Sequence, residues 1–384
     1  MYFKRYLILI CLAMFLGMVL ICQVSIYINN IDYTSPQKNA NYGNFLDHNL
    51  LNEMPQLSTD ENYENLEAIF DTKINNIDSL GYFPQIYESS LQATYYGIYI
   101  LDALGKLDDI DQITIVNYIM DHYNSSSHIF MDDYSYRYLT TDPDISIYSY
   151  ASLLEINCYA ILSLNLLGNL ELIEMQDSID FIWSCYNPIT SGFIGQSYSV
   201  GLSDYFKLST MDNTYYAIIT LDILMNNWND YSIEKDALVA YINDLQETAE
   251  YKLYFGGFHN DADSNIDTLE MIDQNILASY YCVKSMEVFN LENTIRINDF
   301  YTSLDALYNE TSYFFSFYYY VGMENYSNIV ASALGLELSD LTGYSSINRN
   351  ELINFIINNR NEYGNWDSST TYKYHELIDT FQIV

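Results

Sequence analysis

The sequence predicts an all-α protein, an α/α toroid of about six helix-hairpin repeats with inner and outer helix rings, placed after an N-terminal transmembrane helix. Three observations predict it. A long apolar run opens the chain, an apolar helical signature recurs six times beyond residue 60, and a Gly-aromatic turn precedes several of the copies.

The apolar run extends from Tyr6 to Ile28, interrupted only by the mildly polar Gln23 and Ser25. A spanning helix needs roughly 20 residues. Lys4 and Arg5 precede the run and no basic cluster follows it, which predicts a cytoplasmic N-terminus and an extracellular remainder. A cleaved secretory signal is the competing reading, although its apolar core is usually only about 7–15 residues and ends at a small-residue site. Residues 1–28 are therefore assigned as anchor or signal, 29–60 as a polar linker carrying Pro36 and Pro55, and 61–384 as the folded domain.

Charge excludes some partners. With 51 acidic against 14 basic residues the formal charge is −37, which repels nucleic acid and anionic lipid headgroups. Contact with the membrane is expected through the N-terminal helix alone. Acidic chains are often disordered, but 49% apolar residues, with 41 Tyr and 18 Phe, supply a core.

The repeated signature reads Thr94-Tyr-Tyr-Gly-Ile-Tyr-Ile-Leu-Asp-Ala-Leu-Gly105 in its first copy. It returns at Asn157, Thr214 and Ser279, and in weaker form at Glu324 and Thr371, with the starts 63, 57, 65, 45 and 47 residues apart. Each copy is apolar on nearly all sides, which predicts a buried inner helix. Amphipathic segments precede them, among them 113–123, 175–186, 235–250 and 349–360, and predict an outer ring. Between the two lie Ser191-Gly-Phe193, Phe255-Gly-Gly-Phe258, Tyr363-Gly-Asn-Trp366 and the degenerate Leu80-Gly-Tyr-Phe83, where Gly permits a positive-φ turn and the aromatic plugs back between helices. One such pair cannot bury its apolar helix; stacked copies can, and six close into two concentric rings.

This pattern resembles the prenyltransferase and terpene-cyclase repeat family over roughly residues 64–384, most closely at Phe255-Gly-Gly-Phe258 and Met211-Asp-Asn-Thr-Tyr-Tyr-Ala217. The resemblance implies a toroid that hosts transferases, cyclases or complement-like domains. It also implies where a zinc site would fall: an Asp and a Cys two residues on at the start of an inner helix, with a His from another. Here the first slot holds Ala93, Ile156, Asn213, Ala278, Met323 and Thr370, and the second holds Tyr95, Cys158, Tyr215, Tyr280, Asn325 and Tyr372. Only Cys158 is a ligand type, and His375 falls five residues past its slot, so zinc is not expected. The cyclases' Asp-x-Asp-Asp acid is approached only by Asp142-Pro-Asp144-Ile145 and by the Asp132-Asp133 pair. The thioester Gly-Cys-Gly-Glu-Gln is missing.

Two groups remain as candidate sites. Glu155 and Asp212 occupy equivalent positions at the start of adjacent inner helices, with Gln92 matching in the first copy. They could serve as a catalytic acid–base pair at the toroid mouth, or as first-turn acids favoured by the helix dipole. Asp261, Asp263, Asn265 and Asp267 place oxygens at alternate positions, as calcium loops do, but Ile266 and Ile272 stand where an EF-hand needs Gly and Glu. Calcium is thus the one cofactor considered. The insertion Ser125–Tyr150 is expected to overhang the mouth. Cys158, Cys185 and Cys282 read as buried thiols or one bridge with a thiol left over, and Asn124-Ser-Ser, Asn309-Glu-Thr and Asn325-Tyr-Ser are glycosylation sequons. The function expected is a surface module binding a glycan, peptide or protein. The alternative is an external enzyme on glycan or isoprenoid material.

Overall fold

A computed structural model describes residues 84–85, 88–140, 151–225, 227–261, 275–319, 328–360, 366 and 376–384. The anchor (1–28) and linker (29–60) lie outside the described residues, within which no helix is long and apolar enough to cross a membrane. Twelve α-helices follow among the described residues. They are α1 (Leu91–Ala103), α2 (Gln112–Asp121), α3 (Asp133–Thr140), α4 (Leu153–Leu166), α5 (Met175–Ser184) and α6 (Met211–Leu224). After these come α7 (Ser232–Asp244), α8 (Ile276–Val288), α9 (Ile297–Leu307), α10 (Asn328–Thr342), α11 (Arg349–Asn358) and α12 (Glu376–Ile383).

The inner ring is α1, α4, α6, α8, α10 and α12. Each packs on the next in that order, and α12 packs on α1, so the ring closes. Burial separates the rings as the apolar pattern requires. All twelve residues from Leu153 to Leu164 of α4 are buried, whereas α2 buries only Ile115, Val116, Tyr118 and Ile119. Outer helices α2, α5, α7, α9 and α11 therefore present one stripe inward and polar residues outward.

Helix ends are set by short polar side chains. Ser90, Ser152 and Asn275 accept the N–H of the third residue on at the starts of α1, α4 and α8, and Ser152 forms a reciprocal capping box with Glu155. At the other end, Gly105, Gly168, Asn290 and Gly343 take positive φ. The N–H groups of Lys106, Asn169 and Leu291 then reach back to Leu101, Leu164 and Met286 at 2.7, 2.8 and 2.9 Å, closing the last turns.

The outer-to-inner turn is the most regular device of the fold. His128, Ser191, Gly256 and Tyr313 take positive φ, and two residues later stand Phe130, Phe193, Phe258 and Phe315, each with no exposed surface. The N–H of each Phe donates to a polar side chain of the following inner helix: Asn157 (2.7 Å), Thr214 (3.0 Å), Ser279 (3.2 Å) and Ser332 (3.1 Å). Two of these turns, at 123–130 and 308–315, escaped the Gly-aromatic pattern because a His and a Tyr supply the positive φ.

The latch and the turns around it correct several readings. Ser332 occupies the latch position and Gly343 the left-handed cap, so the fifth inner copy begins at Ser332 and not at Glu324. Gly335, taken as the end of that copy, lies inside α10, where an added Cβ would sit 2.4 Å from the Phe315 ring; the helix needs it bare to admit that ring. Consequently the fifth pair of zinc slots is Ala331 and Ala333. The third outer helix ends at Asp244, short of Glu250, because Gln246 leaves it to pair with Phe258. Ser125–Phe130 belongs to a repeat turn, so the insertion begins only after it. Leu80–Phe83 and Tyr363–Asn365 lie outside the described residues.

Glycine demand at two of the positive-φ sites differs sharply. A Cβ on Gly105 (φ +64°) meets nothing within 4 Å, while on Gly256 (φ +85°) it lands 1.8 Å from the Asp299 carbonyl oxygen. Gly105→Ala should therefore cost only the left-handed backbone term of about 1–2 kcal/mol. Gly256→Ala should cost at least twice that in urea unfolding. Equal losses for the two variants would show that the 255–258 turn is not held as described.

Candidate functional site

The capping box that starts α4 also builds the mouth of the ring. Glu155 Oε2 accepts the Ser152 N–H at 2.8 Å, and Ser152 Oγ donates to Asn213 Oδ1 at 2.6 Å, tying the start of α4 to that of α6. Asp212 accepts the Asn213 N–H at 2.8 Å. On the other side the Tyr159 hydroxyl lies 3.4 Å from Glu155 Oε1, and Gln92 Nε2 donates to Tyr96 (3.0 Å) and Tyr159 (3.3 Å). Gln92, Glu155 and Asp212 are thus gathered from α1, α4 and α6 into one polar cluster. Equivalent helix positions become neighbours when helices stand side by side with their starts level.

Burial, and then the Asp212 carboxylate, push the Glu155 carboxyl up to about 8, so it is mostly neutral at pH 7. Helix α3 covers this cluster. The Tyr138 hydroxyl lies against Gly195 and Ser152, its ring meets Phe206 edge-on at 5.6 Å, and burial with the two carboxylates raises its phenol. Of the insertion expected to overhang the mouth, α3 is the described part; residues 141–150 lie outside the described residues. Asp132, singled out in sequence as half of an acidic pair, is buried and accepts the N–H groups of Leu91, Tyr134 and Ser135. Its carboxylate caps helix starts.

Beyond the polar cluster the rings of the inner helices meet face and edge. Tyr96 stacks on Phe381 with centroids 4.1 Å apart, Tyr95 on Tyr159 at 5.4 Å and Tyr215 on Tyr281 at 5.0 Å, while Tyr159 meets Tyr216 edge-on at 4.7 Å. This aromatic wall borders a cavity of about 710 Å³. Tyr95, Tyr99, Tyr215, Tyr280 and Phe381 line it from the inner ring, and Leu334, Ile353, Ile356 and Trp366 from the α10–α11 side. Of its charged lining, Arg349 holds Asp340 and Glu337 binds Lys284 at 3.1 Å, while Arg360 Nε donates to the Ile357 carbonyl at 3.0 Å. Sequence reading missed this cavity, because tyrosine is so abundant that no subset stood out.

Among the described residues no three His, Cys, Asp or Glu side chains come together as a metal site. Cys158 is fully buried, and that burial lifts its thiol to about 12. All three described cysteines are buried thiols, with no disulfide among them. Of the calcium candidates Asp261 is described and pairs through its backbone with Thr210; Asp263, Asn265 and Asp267 lie outside the described residues, as do His375, Asp142 and Asp144.

A closed double ring of helices around an aromatic cavity defines the class of α/α toroids. The chain belongs to the prenyltransferase alpha-alpha toroid domain family, which matches residues 46–133, 128–270 and 254–377. Among solved structures it is similar to Candida albicans protein geranylgeranyltransferase-I complexed with GGPP: 14% identity, TM-score 0.54, 86% of this chain and 90% of that one covered. It is also similar to the type II terpene cyclase MstE from Scytonema, in complex with merosterolic acid A or with geranylgeranyl dihydroxybenzoate. Both complexes show 10% identity and TM-score 0.54, with 85% of this chain and 97% of that one covered. Identities this low establish the shared fold alone. No curated protein matches the chain.

The raised carboxyl has a measurable consequence. Glu155 carries its proton more tightly folded than unfolded, so its stabilising effect is complete below about pH 4.5 and is lost as pH rises through about 8. Stability should fall across that window with a slope of up to about 1.4 kcal/mol per pH unit from this group. Glu155→Gln should flatten the slope; an unchanged slope in the variant would mean that Glu155 is not held neutral.

Proposed function

We propose that the toroid is held at a membrane by the Tyr6–Ile28 segment, sits outside the cytoplasm, and takes up an elongated apolar ligand of isoprenoid kind. The cavity is the observation that carries this reading. Its volume of about 710 Å³ falls in the range of roughly 300–1,000 Å³ typical of small-molecule sites. Its lining is largely aromatic and aliphatic, so it rewards apolar surface at about 0.8 kcal/mol per buried CH₂. Similarly folded proteins have been solved with GGPP and with geranylgeranyl dihydroxybenzoate, which supports the same ligand class here. Neither the zinc donors nor the Asp-x-Asp-Asp acid of the family is present in its expected slots. Binding without those two chemistries is therefore the reading adopted.

One observation favours a second, catalytic reading. Glu155 is a buried, mostly neutral carboxylic acid beside Asp212, which suits a proton donor paired with a base. Glu155→Gln and Asp212→Asn would each slow turnover by at least about a hundredfold under that reading. Full rates in both variants, on any isoprenoid substrate the protein converts, would remove it.

The binding reading is tested on the full chain in detergent, with geranylgeraniol and maltohexaose compared by native mass spectrometry. Geranylgeraniol should bind saturably and maltohexaose should not. Ala333→Trp, which fills the cavity from α10, should weaken binding tenfold or more, a loss of about 1.4 kcal/mol. Binding of maltohexaose alone, or geranylgeraniol binding untouched by Ala333→Trp, would overturn it.

A further inference from the structure

Two of the three sequons fall at one structural position. Asn124 and Asn309 each follow the tyrosine that opens an outer-to-inner turn, Tyr123 pairing with Phe130 and Tyr308 with Phe315. Both asparagines are exposed. In each, the side-chain oxygen is occupied: Asn124 Oδ1 accepts the N–H groups of Ser126 (2.9 Å) and Ser127 (3.2 Å), and Asn309 Oδ1 those of Thr311 (3.0 Å) and Ser312 (2.9 Å). Neither Nδ2 hydrogen-bonds to a described residue, and the Ser126 and Thr311 hydroxyls likewise make no bond to one.

The same turn at Tyr186-Asn187 supplies a contrast. Asn187 is buried, its Nδ2 donates to the Lys207 carbonyl at 2.7 Å, and Pro188 and Ile189 follow it, so no hydroxyl stands two positions on. Where the turn is inside, the amide is spent on the fold. Where the turn faces solvent, the amide nitrogen is free and a hydroxyl residue that the fold does not use stands two positions on. Ser126 and Thr311 hydroxyls are not needed to hold their turns, since the backbone N–H groups alone satisfy the Asn oxygen. Fold requirements account for the two asparagines but not for these two hydroxyls.

We infer that Asn124 and Asn309 are N-glycosylated, taking sugar from a lipid-linked glycosyl phosphate. The Nδ2–C1 bond forms as the C1–O bond to phosphate breaks. The phosphate oxygen keeps the electron pair, and the amide nitrogen gives up one proton to a base of the transferring enzyme. Outer-to-inner turns share one end of the ring, so both glycans stand on the rim that carries the Glu155 mouth. This inference rests on the extracytoplasmic placement proposed above.

Peptides covering Asn124 and Asn309 from the full chain, purified from its native membranes, are examined by mass spectrometry, while intact cells are treated with protease. Sugar mass increments are expected on one or both peptides and none on the Asn187 peptide. Ser126→Ala with Thr311→Val should reduce the increments at least tenfold and leave the melting temperature of protein made in a host lacking N-glycosylation unchanged. Bare peptides on a toroid that external protease removes would overturn the glycosylation alone. Bare peptides on a protease-protected toroid would overturn both it and the external placement.

Discussion

The structure depends on one hydrogen bond made four times among the described residues: the amide of a buried Phe donating to a polar side chain one turn into the following inner helix. An inner helix that is apolar all round has no preferred face, and nothing in its hydrophobicity fixes its rotation or its height. The latch fixes both. It places a polar residue against a defined backbone group and drives an aromatic ring into the gap between rings. A buried amide left without that acceptor would cost about 1–3 kcal/mol, comparable to the burial of the ring itself.

Registration of the helices is what makes a site. Once α1, α4 and α6 start at one level, Gln92, Glu155 and Asp212 must meet, and the tyrosines three and four residues further along, Tyr95 and Tyr96, Tyr159, and Tyr215 and Tyr216, form the aromatic wall behind them. The neutral carboxyl and the tyrosine-lined cavity are therefore two faces of the same layer. Tyr159 belongs to both, hydrogen-bonded towards Glu155 and packed on Tyr95 and Tyr216.

Much of this was legible in the sequence, and the reasons for what was not are physical. The periodic apolar helices, the ring and the convergence of Glu155 with Asp212 follow from repeat register, which a single chain displays. The fifth copy was misplaced because Gly335 looks like a helix stop, whereas its role is to admit Phe315. Turns at His128 and Tyr313 were invisible because left-handed φ was sought at glycine, and these side chains adopt it under tertiary constraint. Asp132 looked chemical and proved to cap helices. The cavity could not be read at all, since it is defined by which tyrosines the ring brings to one wall, and composition counts only how many there are.

Ring closure by α12 against α1 changes the topology of coupling in the molecule. An open stack of repeats has two ends, frays from them and needs capping units, so its stability is a sum along a line. In a circle every inner helix has two neighbours and no repeat is terminal. Damage at one seam must then be felt at the diametrically opposite helix through either arc. The seam itself joins residues nearly the whole domain apart in sequence, the costliest kind of contact to form by chance encounter. The circle is thus slow to close and, once closed, hard to open anywhere in particular.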